Sequence, residues 1–498
     1  MAIISIVRII FLLAAVGLSS CGRFDSDGVL SVQLAYSDPA ASWNIAETES
    51  RSEFPDASAF HNPVSASYEL NSSNRILIRV LGPGFSPIEA WFERSEGRGV
   101  IRGVPPGTRI SVEVDEYRGD APFLGTDAEL LGRGWTRGIT LSAGEAKTVG
   151  VVMHAKGTIV TICGAQADGG QGVPGDSGDG GLSNAAKTRN PSAVKAGPDD
   201  SIYFSSAVNG KVKRIDRYGY ISNFAGNGEF GTVTAGNVAG VDASSVPVGF
   251  VSDIDIEPSG NIYLFTYSNQ IVKVAADGKI LNVVYDNGAI IPAGGHWFNF
   301  AVVNDDLLYF VSYIDPRVYR IIDSVKSDFV KDGKPDSTVE PFDRLFYPIS
   351  EPSGVTYASK SNSLIFADTG NNRIMQLSFL DGYIRYLVAD DVNKRPFSEG
   401  VAPLGMAPVK PRVVEYNPIT GKIFFVDGSK GRVLYITSDN VVRTFAGNGD
   451  LGFSGDGEPA TEAQVYDPRS VTVDSRGNVY IADYGNHAIR MVVGGALP

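Results

Sequence analysis

The sequence predicts an all-β protein in which an N-terminal β-sandwich is followed by a six-bladed β-propeller. One pattern of short strands recurs six times in the last two thirds of the chain, which is typical of a repeat fold closed into a ring. A strand-like segment ahead of the first copy supplies the strand that the last copy lacks. Upstream of that segment, alternating apolar runs separated by Pro and Gly predict a small sandwich.

The repeat is clearest at the end of the chain. Two alternating apolar runs flank the turn Asp474–Asn478, as expected of a tight hairpin, and a third run starts at Ala488. The second strand, Val479–Asp483, recurs as Ile423–Asp427, Leu364–Asp368, Leu308–Ser312, Ile262–Thr266 and Ile202–Ser206. A basic residue follows the next turn in every copy: Arg490, Arg432, Arg373, Arg317, Lys273 and Lys211.

The last copy stops after its third strand, so its fourth strand has to come from elsewhere in the chain. Thr161–Gly164 has the same pattern as the fourth strands Asn223–Gly226 and Thr444–Gly447. We therefore predict that this N-terminal strand completes the last blade and closes a ring of six blades.

Two segments near the C-terminus, TFAGNGDLGFSGDGEPATEAQ and YDPRSVTVDSRGNVYIADYGNHAIRMV, resemble the NHL repeat of six-bladed β-propellers, including those of teneurins and bacterial surface proteins. The resemblance implies a propeller over residues 156–498. Residues 28–155 are expected to form the sandwich, in which Gly103–Val112 resembles a hairpin of carboxypeptidase-regulatory or transthyretin-like domains. Its predicted strands are Val29–Tyr36, Arg75–Leu81, Ile88–Glu93, Gly99–Gly103, Arg109–Tyr117, Gly138–Leu141 and Thr148–His154.

The first residues have the pattern of a bacterial lipoprotein signal. Arg8 precedes an apolar run, Ile9 to Val16, that is too short for a comfortable membrane span. The ending Leu-Ser-Ser-Cys resembles the lipobox, which implies a signal peptide at residues 1–20, acylation of Cys21 and a lipidated tether at residues 21–27. The acyl chains on Cys21 would anchor the protein in the lipid bilayer. Gly22 favours the outer membrane under the rule for proteobacterial lipoproteins. The alternative is an ordinary signal with a coincidental Cys21.

Charge and cysteine content limit the possible partners. The formal net charge of −13 argues against nucleic acid, because nucleic-acid binding needs a basic surface. With Cys21 acylated, Cys163 has no partner for a disulfide, and we interpret it as a small buried strand residue.

Two recurring motifs have structural interpretations. Gly226–Gly231 and Gly447–Gly452 fit G-x-G-x-x-G, but neither is followed by helical periodicity, so we interpret both as blade-to-blade turns and not as dinucleotide sites. Three second strands end in a carboxylate, at Asp368, Asp427 and Asp483. Because the equivalent positions elsewhere are Ser or Thr, a structural cap explains the whole set better than a functional ring of carboxylates.

Long loops are expected to form the binding surface. They join fourth strands to the next blade at residues 164–190, 226–248, 323–352, 390–411 and 447–468, and they are predicted to emerge on one face. His296, Trp297, Tyr313 and Arg317 depart most from the repeat and are candidate ligand contacts, because aromatic and arginine side chains dominate many binding surfaces. The alternative is that Trp297 packs inside an irregular third blade.

These observations favour a membrane-anchored scaffold of the bacterial cell envelope that binds a protein or a glycan through its loop-rich face. No catalytic residue, metal ligand or cofactor is predicted. The alternative is a metal-dependent hydrolase or lyase with its site on the propeller axis, since gluconolactonase-like hydrolases and peptide-amidating lyases share six-bladed propellers. Only His487 has a repeat position comparable to the zinc-binding histidines of the amidating lyases, so that site does not carry over.

Overall fold

A computed structural model shows an N-terminal sheet domain followed by a six-bladed β-propeller. It describes residues 28–36, 74–93, 99–118, 129–164, 172–234, 238–266, 268, 270–286, 298–305, 307–312, 315–331, 334–335, 349–390, 404–406, 410–428, 430–437 and 441–497. The predicted signal peptide, the tether and Cys21 lie outside these residues. Within the described ranges, no helix has the length and apolar character needed to cross a bilayer.

The N-terminal domain contains seven strands: β1 (Gly28–Tyr36), β2 (Arg75–Leu81), β3 (Ile88–Glu93), β4 (Gly99–Val104), β5 (Gly107–Tyr117), β6 (Leu130–Leu141) and β7 (Ala146–Ala155). They pair in the order β3-β2-β5-β6-β7-β1-β4, and only β1 and β7 are parallel. The sheet buries an apolar core that includes Ile78, Val112 and Val151. All seven predicted strands are present. Their arrangement as a sandwich is not confirmed, because the hydrogen bonds join them into one sheet.

Strand β6 starts at Leu130, well before the predicted start at Gly138. Gly132 and Gly134 interrupt the alternation of apolar side chains, so the sequence pattern does not reveal this part of the strand. Gly134 is required by close packing, because a Cβ atom there would lie 2.4 Å from the carbonyl oxygen of Val152 on β7.

The propeller begins with β8 (Ile159–Cys163) and continues through blades of four or five strands. Blade 1 contains β9 (Val194–Ala196), β10 (Ile202–Ser206), β11 (Lys211–Ile215) and β12 (Ile221–Ala225). Blade 2 contains β13 (Val251–Ile256), β14 (Ile262–Thr266), β15 (Gln270–Val274) and β16 (Ile280–Asp286). Blade 3 contains β17 (Phe298–Asn304), β18 (Leu307–Ser312), β19 (Asp315–Ile322), β20 (Val325–Lys331) and β21 (Lys334–Pro335).

The other three blades follow the same order. Blade 4 contains β22 (Pro352–Ala358), β23 (Ser363–Asp368), β24 (Arg373–Ser378), β25 (Ile384–Asp390) and β26 (Leu404–Met406). Blade 5 contains β27 (Pro411–Tyr416), β28 (Ile423–Asp427), β29 (Arg432–Ile436) and β30 (Val442–Ala446). Blade 6 contains β31 (Pro468–Val473), β32 (Val479–Asp483) and β33 (Ala488–Val492). Short 3₁₀ helices lie at Ser183–Ala185, Ala207–Asn209, Ala243–Ser245, Thr369–Asn371 and Tyr484–Asn486.

The ring closes as the sequence predicts. Strand β8 pairs antiparallel with β33, with Cys163 opposite Ile489 and Ile159 opposite Val492, and so becomes the fourth strand of blade 6. Cys163 is fully buried, and burial raises the pKa of its thiol to about 12. The first and last parts of the propeller therefore share one blade, which leaves no exposed end blade.

The two faces of the propeller differ in their connections. On the first, which we call the loop face, first strands begin and second strands end, as shown by the pairs Pro468–Asp483, Pro411–Asp427 and Pro352–Asp368. Fourth strands also end there, so the long inter-blade loops emerge on this face. The second, or hairpin, face carries the turns between first and second strands and between third and fourth strands, whereas the short turns between second and third strands lie on the loop face.

The glycine-rich loops of blades 1 and 5 are turns on the loop face, as predicted. Gly226 and Gly447 have φ values of 85° and 88°, and the described residues that follow each loop form no α-helix. A Cβ atom on Gly226 would lie 2.2 Å from the carbonyl oxygen of Gly210. Glycine is thus needed here for the turn and for close backbone packing.

The sheet domain packs on the hairpin face, over blades 6 and 1. Ser111 donates a hydrogen bond to the Tyr218 carbonyl at 3.0 Å, and the Tyr218 hydroxyl donates to the Gly82 carbonyl at 3.2 Å. Arg133 donates to the side-chain oxygen of Asn478 at 2.6 Å. These contacts leave the loop face on the side of the propeller opposite to the sheet domain.

Candidate functional site

Each blade contributes one inner-strand residue to a ring around the propeller axis. The six positions are equivalent, because each residue pairs with the corresponding residue of the second strand of its blade. They are Lys195, Asp255, Ala301, Thr356, Glu415 and Thr472. The Lys195 ammonium lies 3.0 Å from Asp255 Oδ1 and 2.9 Å from Glu415 Oε1. Burial alone would lower the pKa of Lys195, but the two carboxylates raise it above its ordinary value.

Polar side chains along the axis also satisfy the exposed edges of the inner strands. The inner edge of each blade lacks a hydrogen-bonded neighbour strand, so its backbone N–H groups need other acceptors. Asp253 accepts from Phe300 N at 3.0 Å, and Asp255 accepts from Val302 N at 2.7 Å. The same kind of bond links Val355 N to Asn299, Tyr416 N to Thr356, Val194 N to Ser470 and Ala196 N to Thr472. These residues therefore join neighbouring blades.

This arrangement has a direct consequence for the predicted alternative, an axial metal site. The Lys195 ammonium occupies the position between Asp255 and Glu415 where a cation would be held. No group of three or more His, Cys, Asp or Glu side chains within the described ranges is placed to hold a metal ion. His487 accepts a hydrogen bond from Asn190 N at 3.2 Å through Nδ1, and burial lowers its pKa.

The carboxylates that end second strands act as local caps. Asp368 accepts from Ser350 N at 2.7 Å and from Arg373 Nε at 2.6 Å, and Asp427 pairs with the Arg432 guanidinium at 2.8 Å. Asp483 accepts from Tyr466 N and the Asn486 amide, both at 2.8 Å, whereas Arg490 lies 3.9 Å away. Burial raises the pKa of Asp483 to about 7. Each contact lies within its own blade or the loop that precedes it, as a structural cap requires.

The loop face contains a cleft of about 500 Å³ between blades 5 and 6 and the loop that leads into blade 1. We call it the Tyr466 cleft; it is lined by Asn190, Arg412, Leu451, Tyr466, Asp467 and Tyr484. The Tyr466 ring packs closely against Gly485, where a Cβ atom would be only 2.6 Å from the ring atoms Cγ and Cδ1. Tyr466 is nevertheless 42% exposed. The cleft therefore presents a supported aromatic surface.

Charged groups fix the floor of the Tyr466 cleft. Arg412 and Arg469 both bind Asp467, at 2.7 and 2.8 Å, and the Arg469 guanidinium stacks 3.2 Å from the centre of the Tyr484 ring. Asp467 has a φ of 52°, a conformation that Asn and Asp adopt more readily than most residues. The cleft thus combines one open aromatic ring with planar polar groups held by ion pairs.

The sequence of this region matches a known repeat family. The NHL repeat model matches residues 465–490, which include Tyr466, Asp467 and Tyr484. The chain is a six-bladed β-propeller that carries an NHL repeat. No curated protein matches it.

Solved structures similar to this NHL propeller include proteins of several kinds. An auxiliary nutrient binding protein from Bacteroides ovatus is 15% identical, with a TM-score of 0.48, over 83% of this chain and 90% of that chain. A virginiamycin B lyase from Staphylococcus aureus is 14% identical, with a TM-score of 0.37, over 76% and 90%. A gluconolactonase from Xanthomonas campestris is 13% identical, with a TM-score of 0.38, over 62% and 87%. Identities this low assign neither a ligand nor a reaction.

Of the four predicted ligand contacts, the structure describes only Arg317. His296, Trp297 and Tyr313 lie outside the described residues. Arg317 is in β19 of blade 3, where its guanidinium pairs with Asp328 at 3.2 Å. It is therefore part of a pair within its own blade, and it does not line the cleft between blades 5 and 6.

Sequence analysis missed the Tyr466 cleft because its residues belong to three separate repeats. Asn190 precedes blade 1, Arg412 belongs to blade 5, and Tyr466 precedes blade 6. One signal was available in the sequence: Asn190 and Asp467 each stand directly before the proline that opens a blade, with φ near 50° in both cases. Glu351, before Pro352, has the same position and a φ of 50° but does not line the cleft, so this signal marks the start of a blade and not the cleft itself.

Proposed function

We propose that this NHL propeller is a lipid-anchored binding protein of the bacterial envelope and that its Tyr466 cleft binds a glycan. The observation that carries the proposal is the open, Gly-supported ring of Tyr466 beside the polar floor formed by Arg412 and Asp467. A sugar ring has an apolar face that can stack on an aromatic side chain and hydroxyls that can bond to planar charged groups. The cleft volume of about 500 Å³ is within the range of small-ligand sites.

The placement of the sheet domain supports this proposal. That domain precedes the propeller in the sequence and packs on the hairpin face through Ser111 and Arg133. An anchor at Cys21 would therefore hold the propeller from the hairpin side and leave the loop face available to ligands.

The alternative of an axial hydrolase or lyase has less support. The described inner strands carry Asp253, Asp255 and Glu415, and each of them already binds a lysine or a backbone N–H group. A general base or metal ligand has to be free to bind water or substrate. The observed bonds use these groups to hold the blades together.

Replacing Tyr466 by alanine is expected to weaken glycan binding by about tenfold or more, because stacking on an aromatic ring would be lost. The full chain is first applied to a glycan array, and the affinity for the best oligosaccharide is then measured by calorimetry. Tyr383→Ala is the matched control, since Tyr383 is 44% exposed but lies on the hairpin face, and it should leave the affinity unchanged. A protein that binds no glycan on the array, or equal losses in both variants, would refute the glycan proposal.

Replacing Cys21 by serine is expected to move the protein from the membrane fraction to the soluble fraction. Serine has no thiol to form the thioether bond to the lipid. Stable anchoring needs more than one buried acyl chain, and these would be lost. Fractionation of cells that express each form, with mass spectrometry of the mature N-terminus, measures the effect. Membrane retention of Cys21→Ser would show that some other part of the chain anchors it.

A further inference from the structure

A second cavity lies at the junction of the sheet domain and the hairpin face, away from the Tyr466 cleft. Its volume is about 310 Å³. The sheet domain contributes Trp135 and Arg137 from β6, whereas the propeller contributes the apolar side chains of Ile202, Ile215 and Met491. We call it the Arg137 cavity. It combines an apolar wall with a concentration of arginines.

Most of these arginines are bound to protein carboxylates. Arg79 and Arg133 lie 2.6 and 2.5 Å from the Asp115 carboxylate, and Arg476 lies 3.0 Å from it. Arg476 also pairs with Glu113. Their charges are therefore compensated within the junction and do not need a ligand.

Arg137 differs from the three arginines that bind Asp115, as does Arg217, which also lines the cavity and donates to the Tyr218 hydroxyl. No described residue accepts a hydrogen bond from the Arg137 guanidinium or lies within ion-pair distance of it, although the group lies 5.7 Å from the centre of the Trp135 ring. Gly219 makes room for the side chain, since a Cβ atom there would be 2.2 Å from Arg137 Cδ. Burial lowers the pKa of Arg137, with Glu113 acting in the opposite direction. A partly buried guanidinium with unused donors is a strong site for an anion.

The neighbouring carboxylates restrict the charge of that anion. Glu113, Asp216 and Asp474 all line the same cavity and would repel a dianion such as phosphate. A carboxylate carries a single charge, and its two oxygens match the fork of a guanidinium. The apolar wall would accommodate a hydrocarbon or aromatic portion of the same molecule.

We propose that the Arg137 cavity binds a small organic carboxylate, whose charged group bonds to Arg137 and whose apolar portion packs on Trp135 and Ile202. Because Trp135 and Ile202 belong to different domains, the bound molecule contacts both sides of the junction. It therefore stabilises the docking of the sheet domain on the propeller.

The test uses benzoate as the probe and benzamide as its neutral analogue. Both are titrated by calorimetry into the full chain, purified in a mild detergent, and inorganic phosphate is titrated in parallel. We expect binding of benzoate, at least about tenfold weaker binding of benzamide and phosphate, and a higher unfolding temperature with benzoate. Equal binding of benzoate and benzamide, or no binding of benzoate, would overturn the proposal.

Substitution of Arg137 locates the site. Arg137→Met keeps an unbranched apolar stem but removes the guanidinium, and it is expected to reduce benzoate affinity at least about tenfold. Arg385→Met, at an exposed pair with Asp381, should not change the affinity. Arg137→Lys provides a second variant if the methionine variant does not fold, and loss of the planar fork should weaken binding in the same direction. Wild-type affinity in either folded variant would contradict the proposed role of Arg137.

Discussion

Replacing Asp115 by alanine is expected to lower the free energy of unfolding by about 3–5 kcal/mol, because it leaves several arginines without their buried counter-charge. Asp115 is fully buried and is held by Arg79, Arg133 and Arg476. The first two arginines belong to the sheet domain and the third to the propeller. The loss should therefore appear in urea unfolding as weaker coupling between the domains, with the sheet domain unfolding at lower urea than the propeller.

The effect of this substitution should depend on pH in a defined direction. Burial alone would raise the pKa of Asp115, but the charges of Arg133, Arg476 and Arg79 hold it well below its usual range. A carboxyl group whose pKa is depressed by folding stabilises the protein above its ordinary pKa and loses that effect as the pH falls. The difference between wild type and Asp115→Ala should thus be full at pH 7 and should shrink below about pH 4.

An exposed ion pair in the same domain provides the control for Asp115. Glu129 pairs with Arg118 at 2.7 Å, and both side chains are about half exposed. Glu129→Ala should cost less than about 1 kcal/mol, since surface pairs contribute little. If Asp115→Ala costs no more than this control, or unfolds in a single unchanged transition, the buried network does not couple the two domains.

The sequence predicts the propeller well because its blades depend on local patterns. The alternation in Val479–Asp483 and its five copies identifies the second strands, and the match between Thr161–Gly164 and the other fourth strands identifies ring closure. Both features need only a comparison of short segments. The early part of β6 escapes this comparison, because Gly132 and Gly134 interrupt the alternation and Gly134 is required by packing against β7.

The site residues could not be predicted in the same way because their contacts join distant parts of the chain. Lys195 and Glu415 are 220 residues apart, and Arg476 and Asp115 are 361 residues apart. In the sequence, each inner-strand polar residue resembles an ordinary solvent-facing position of an alternating strand. Only the ring shows that these positions face one another, and only then can their charges be paired.

Replacing Lys195 by methionine is expected to lower the free energy of unfolding by about 3–5 kcal/mol at pH 8, because Asp255 and Glu415 would remain as two uncompensated carboxylates on the axis. Burial already raises the pKa of Glu415 in the wild type, with Lys195 opposing the shift. Loss of the ammonium should raise it further. A carboxyl group whose pKa is raised by folding takes up its proton more readily in the folded state, so its destabilising charge is removed as the pH falls. The loss of unfolding free energy in Lys195→Met should therefore be smaller at pH 5 than at pH 8.

The controls for Lys195 separate charge from packing. Lys279→Met removes an exposed ion pair with Asp242 in blade 2 and should cost less than about 1 kcal/mol. Adding Asp255→Asn and Glu415→Gln to Lys195→Met should recover part of the lost stability, because the uncompensated charges are then removed. Unfolding in urea at both pH values measures all three effects. A pH-independent deficit would mean that the axis is hydrated well enough to solvate both carboxylates. The expected pattern, with ligand binding at the Tyr466 cleft unchanged, would instead establish that the axial charges hold the blades together and leave recognition to the loop face.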